Sequence, residues 1–189
     1  MKLHIAKIDF FIGYEVAAAV TAVLLLDREY RILCCFFAAA VHELGHVMMM
    51  RLCKVRVRRV RLRLFDTLIE ADDAPTVSAD VLITLGGPLA NLVFAAVLCP
   101  FSLRFGLPHL ALGIFNLLPV MSLDGGCLLS IFLLMKYSPR VSDTVIKATT
   151  FVILLPLMTA GMFVLFNSGY NYSLLFCSLY LTAILFLKK

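Results

Sequence analysis

Charged side chains are scarce in this chain. Only 15% of its 189 residues are Asp, Glu, Lys or Arg, where a soluble globular chain carries about a quarter. A disordered protein is excluded, because it needs charge and low hydrophobicity to stay solvated. The six cysteines (Cys34, Cys35, Cys53, Cys99, Cys127 and Cys177) show no paired spacing and mostly lie inside apolar runs. There the thiol acts as a small hydrophobe, which excludes a disulfide-stapled secreted scaffold. Low-complexity tracts and internal repeats are missing as well. What the chain has is apolar surface: 62% of its residues are hydrophobic and its mean hydropathy is +0.98. Such a composition belongs to an integral membrane protein, with the lipid bilayer as its surroundings.

Six apolar stretches can be cut from the chain, at about 9–26, 32–52, 80–99, 108–135, 145–166 and 172–187. One crossing takes about 20 residues, and the fourth stretch is longer than that. A secretory signal is the rival for the first, since Ala17-Ala18-Ala19 resembles a cleavage site. Glu15 breaks the apolar run, however, and the run continues to Leu26, so a retained helix is expected. The fourth stretch carries Pro119 and Gly125-Gly126 and should be broken or kinked, with its irregular backbone bordering a cavity or packed protein.

The net charge of +5 would suggest nucleic acid on a water-soluble surface, but seven of the seventeen cations lie between Arg51 and Arg63, in a loop between apolar segments. No nucleic-acid partner is expected. With the N-terminus inside, the inner segments hold 14 cations and the outer loops 3 (Arg28, Arg31 and Arg104). That asymmetry predicts a multi-pass protein of the cell membrane with both termini cytoplasmic. Within the basic loop, Val55, Val57, Val60, Leu62 and Leu64 alternate with arginines, which is a strand period. The doubled Arg58-Arg59 shifts the register once, as a bulge does. Phe65 to Glu70 reads as the returning strand. The fold expected is therefore an all-α polytopic membrane protein of six transmembrane helices, with a small membrane-associated β-hairpin at about 53–71.

His42-Glu43-Leu44-Gly45-His46 in the second stretch is an HExxH pattern on a helix. The i, i+4 spacing puts both imidazoles on one face, within reach of one metal ion, with Glu43 beside them as a general base. Two buried histidines satisfied by other polar groups are the plain alternative. In a bilayer, three ionisable side chains within five residues are costly and mark function. Catalytic zinc takes three protein ligands and keeps a position for water. Asp124 is the expected third ligand: it is the one carboxylate of the fourth stretch and follows its proline-broken part. Taken alone it would read equally well as a helix cap. Cys127, one turn on, is a weaker rival.

Three motifs now stand together: His42-Glu43-Leu44-Gly45-His46, Gly86-Gly87-Pro88-Leu89-Ala90-Asn91, and Asn116-Leu117-Leu118-Pro119 followed by Leu123-Asp124-Gly125-Gly126. In order and placement they resemble the site-2 protease family (peptidase family M50) of intramembrane zinc metalloproteases, over roughly residues 30–135. The opening, with its short Lys-containing leader, resembles the branch that processes a sporulation pro-sigma factor. The resemblance implies a three-helix catalytic core at about 30–135, with accessory helices at about 9–26, 145–166 and 172–187. It implies one Zn2+ held by His42, His46 and Asp124, Glu43 as the catalytic base, and Asn116 and Pro119 facing substrate. It also implies a membrane protein substrate that yields a cytoplasmic regulator. The hairpin departs from the family's Pro-Phe-Gly-Gly-like turn, since Leu64-Phe65-Asp66-Thr67 stands there. Neither a PDZ module nor a CBS-type domain is expected, which leaves room for a separate inhibitory or regulatory membrane partner.

Other residues carry less. Gly86, Gly87 and Ala90 are expected to let helices pack closely. Asn91 has two open uses, an interhelical hydrogen bond or a substrate contact. Glu15 could gate water or bond between helices. His4 and His109 lie near the ends of stretches and need no catalytic role. The competing function is a non-hydrolytic membrane metal transporter or sensor using the same ligands; Glu43 argues against it, because transport needs no base beside the ligands.

Overall fold

The computed structural model describes residues 2–5, 8–12, 14, 21, 31–62, 67–169 and 173–187. The chain divides into two compact units, Met1–Ile114 and Phe115–Lys189.

The first unit begins with a hairpin, β1 (Lys2–Ile5) and β2 (Ile8–Ile12). This corrects only the start of the expected first helix at 9–26: residues 9–12 are a strand, because β2 finds a parallel partner far along the chain, while Tyr14 and Thr21 are helical. The remainder of that stretch, with Glu15, lies outside the described residues apart from Tyr14 and Thr21. Helix α1 (Arg31–Leu52) follows, then strands β3 (Val57–Leu62) and β4 (Thr67–Ala71). The four strands form one sheet in the order β1-β2-β3-β4, so the expected two-stranded hairpin is half of a larger sheet. The β3–β4 ladder is antiparallel and shifts register between Val57 and Arg59, where the doubled arginine predicts it. The turn at 63–66 lies outside the described residues.

A Schellman turn leads α1 into β3. Val55 N–H donates to the Met50 carbonyl at 2.8 Å and Lys54 N–H to the Arg51 carbonyl at 3.0 Å. Lys54 takes the left-handed conformation this needs, with φ of 60°. Val47, one residue past His46, packs with Val57 and Ile69. The sheet is thereby fixed to the helix that carries the HExxH pattern.

Helix α2 (Val77–Leu98) starts where Thr76 Oγ1 accepts from Ala79 N–H at 3.1 Å. It crosses α1 at near backbone contact. A Cβ at Gly45 would collide with the Gly86 carbonyl and meet Ala90 Cβ at 2.8 Å; one at Gly86 would meet the Gly45 carbonyl at 2.7 Å. Small residues at a membrane helix crossing allow this approach. Helix α3 (Leu103–Asn116) runs across the division between the units.

In the second unit the backbone is irregular from 117 to 123 before α4 (Asp124–Leu134). The expected break at Pro119 is thus a full interruption, with separate helices on either side. Val120 is buried here against Leu154 and Leu181, and Thr150 Oγ1 accepts from Met121 N–H at 2.9 Å. Helix α5 (Pro139–Ser168) opens with Pro139 in its first turn and closes at Gly169, whose φ is 72°. Helix α6 (Ser173–Leu187) completes the chain.

Among the described residues, three helices are long and apolar enough to cross a membrane: Ile32–Leu52, Val77–Leu98 and Pro139–Ser168. Asp124–Leu134 and Leu174–Ala183 are apolar but shorter. Large apolar side chains face outward, among them Phe151, Phe163 and Phe166 on α5. Exposed apolar side chains recur along helices that are themselves apolar enough to cross a membrane. This is a membrane protein, and its apolar exterior suits lipid.

Candidate metal centre

The HExxH turn of α1 lies against the Gly86-Gly87 face of α2, and that pairing shapes the first unit's polar interior. His42 is buried, while Glu43 and His46 are half-buried. The two imidazoles meet at 80° with ring centroids 4.8 Å apart. Their Nε2 atoms are 3.2 Å from each other. Two nitrogens bound to one tetrahedral zinc at about 2.0–2.1 Å lie about 3.3–3.4 Å apart, so this spacing is the one a shared ion needs.

Gly87 provides the space. A Cβ there would collide with His46 Nε2 and meet His42 Nε2 at 2.7 Å. Both donor atoms therefore sit over a surface that any larger residue would fill. The missing side chain also lets His46 reach the backbone of α2, where Nδ1 lies 2.8 Å from the Ile83 carbonyl. A carbonyl only accepts, so Nδ1 carries the hydrogen and Nε2 keeps a lone pair for a ligand. The donor chemistry and the cradle both fit a divalent ion such as zinc.

Behind His42 the polar contacts continue. Asn91 Nδ2 lies 3.3 Å from His42 Nδ1, and Asn91 Oδ1 lies 3.0 Å from His109 Nδ1. Asn91 and His109 are 0% and 1% exposed. Of the two uses open to Asn91, the structure displays the interhelical contact. No spacing motif pointed to His109, and the Gly86-Gly87 pair read only as close packing. A signal existed for neither role, because both depend on which helices cross.

In the second unit, Asn116 ends α3, Pro119 lies in the interruption, and Asp124 begins α4; all three are half-buried. Gly125 and Gly126 let the irregular segment fold against the start of α4, since a Cβ at either would collide with the Leu117 or Val120 carbonyl. Asp124 is in the first turn of α4, where the helix dipole favours a carboxylate. Leu123, not Asp124, is the N-cap residue.

Residues 30–107 match the profile of peptidase family M50. A zinc metalloprotease of Methanocaldococcus jannaschii is 26% identical over 137 residues, covering 64% of this chain and 40% of the relative. The chain thus spans about two fifths of the length of that curated relative. Among solved structures, a site-2 protease from the same organism matches with a TM-score of 0.64 and 20% identity. That likeness covers 96% of this chain and 91% of the other, and it is a likeness of fold.

Proposed function

We propose that this chain, a member of peptidase family M50, is an intramembrane zinc-dependent endopeptidase of site-2 protease type. The observation that carries the reading is the convergence of His42 Nε2 and His46 Nε2 over Gly87. One zinc ion is proposed, held by His42, His46 and Asp124, two imidazoles and a carboxylate of the kind catalytic zinc takes. Zinc, when bound, polarises a carbonyl and makes water more acidic.

The chain's own residues do the rest. Glu43, one position after His42 on the same helix, takes the proton of the attacking water and delivers it to the leaving amine. Asn116 and Pro119 face the substrate. A transmembrane or membrane-associated protein is the substrate, and a cytoplasmic regulator the product. Its peptide bonds are hidden in helical hydrogen bonds, so it must be extended before cleavage. Addition along the β4 edge of the sheet would hold it so. Both termini of the chain are cytoplasmic in this reading, and His46 then lies about 9 Å from the cytoplasmic end of α1, at a rise of about 1.5 Å per residue.

The test is cleavage of a membrane-inserted substrate by purified protein in liposomes. Wild type should cut, a zinc chelator should stop it, and added zinc should restore it. Glu43→Gln should cut about 10²–10⁴ times more slowly, the usual contribution of a general base, while still binding zinc. Undiminished cleavage by that variant would remove Glu43 from the reaction.

A further inference from the structure

His109 is an expensive residue to bury where it stands. Phe94 stacks on its ring at 5.3 Å, and Phe37 meets it edge-on at 5.6 Å. Its Nε2 has no hydrogen-bond partner among the described residues, so Nδ1, 3.0 Å from Asn91, is its polar outlet. A leucine or phenylalanine would fill such a clamp without the cost of desolvating a polar ring. Asn91 is likewise fully buried, and it spans the gap between His109 and His42. The far end of the cluster is therefore where its use lies.

Hydrogen bookkeeping defines that use. The Ile83 carbonyl already fixes the lone pair of His46 on Nε2. For both histidines to hold one ion through Nε2, His42 must carry its hydrogen on Nδ1, the atom that faces Asn91. Asn91 must then present its amide oxygen to His42 and its amide nitrogen to His109 Nδ1. A half-turn of the amide exchanges the two atoms without moving anything else. The structure has the nitrogen toward His42 and the oxygen toward His109; His42 Nδ1 then accepts and Nε2 is protonated, and that hydrogen points at His46 Nε2, 3.2 Å away. The second arrangement closes the pair on itself.

We propose that Asn91, seated by His109, is a positioning residue of the metal centre: its amide oxygen accepts from His42 Nδ1–H and so turns the lone pair of Nε2 toward the ion. His109, clamped by Phe37 and Phe94, holds the amide in that orientation by accepting from its nitrogen. The inference rests on the reading of His42 and His46 as metal ligands.

The experiment is a zinc competition titration of the purified full chain in detergent, against a chromogenic chelator. Asn91→Leu keeps the volume but removes the acceptor, and should weaken zinc binding about 10–100-fold, the usual effect of losing a partner behind a ligating histidine. Asn91→Asp can accept from both rings, and should bind zinc at least as tightly as wild type. His109→Phe should weaken binding less than Asn91→Leu, and His109→Gln should restore part of the loss. A purely structural role would make Asp as damaging as Leu, because a buried carboxylate is the harder residue to accommodate. Equal affinity in Asn91→Leu and wild type, or equal weakness in Asn91→Asp and Asn91→Leu, overturns the proposal while leaving the metal centre standing. Failure of wild type to bind zinc overturns the metal centre itself.

Discussion

The two units bury polar side chains for different ends. In the second, Ser178 Oγ donates to the Leu175 carbonyl at 2.9 Å, within its own helix, and Thr150 Oγ1 accepts from Met121 N–H. These bonds quiet a polar group or tie down a loop. In the first, His42, Asn91 and His109 bond to one another across three helices, and the line ends at a pair of ring nitrogens over Gly87. A membrane interior tolerates polar atoms when each finds a partner. When they partner one another and leave two donor atoms converging, they build a site. The burial of polar groups is common to both units, and only the direction of their bonds separates packing from chemistry.

Glycines give the sharpest way to break this contrast. Gly87→Ala puts a Cβ between the two donor nitrogens and should lower zinc affinity at least about tenfold, or about 1.4 kcal/mol, in a competition titration. Gly161→Ala puts a Cβ 2.8 Å from Leu175 Cα, between α5 and α6. It should cost about 1–3 kcal/mol of stability through overpacking, seen as a lower melting temperature in detergent, and leave zinc affinity unchanged. Loss of zinc binding in Gly161→Ala, or its retention in Gly87→Ala, would erase the distinction.

A smaller effect is expected where a polar group only serves its own helix. Ser178→Ala should change stability by about 0.6 kcal/mol, the average for a polar side chain inside a membrane bundle, with no effect on metal. The least effect has the opposite sign. Lys54 holds a left-handed conformation that costs an L-residue about 1–2 kcal/mol. Lys54→Gly should relieve most of it, offset by glycine's greater freedom in the unfolded chain, and raise the melting temperature slightly. A lower one would mean that the lysine side chain itself matters at this turn.

Local patterns were readable without coordinates. The i, i+4 histidines place themselves on one face of a helix whatever surrounds them. The doubled Arg58-Arg59 announces a register shift that the β3–β4 ladder contains, and Pro119 announces a break that runs from 117 to 123. What stayed hidden depends on distant partners. The segment 9–12 reads as the start of an apolar helix, and becomes part of a strand because it pairs in parallel with β3, with Asp9 opposite Arg59. His109 has no motif, and its link to His42 exists only because Asn91 of α2 stands between α1 and α3. Gly87 looks like any small residue at a helix crossing until the two imidazoles are placed over it.

The proposed function turns on one zinc ion held by His42, His46 and Asp124. Its most direct test is the zinc content of the purified protein, wild type beside Asp124→Ala, after dialysis against a weak chelator. The account predicts about one zinc per chain in wild type, the usual stoichiometry of a mononuclear catalytic site, and little or none in Asp124→Ala. Full zinc occupancy in Asp124→Ala would contradict it.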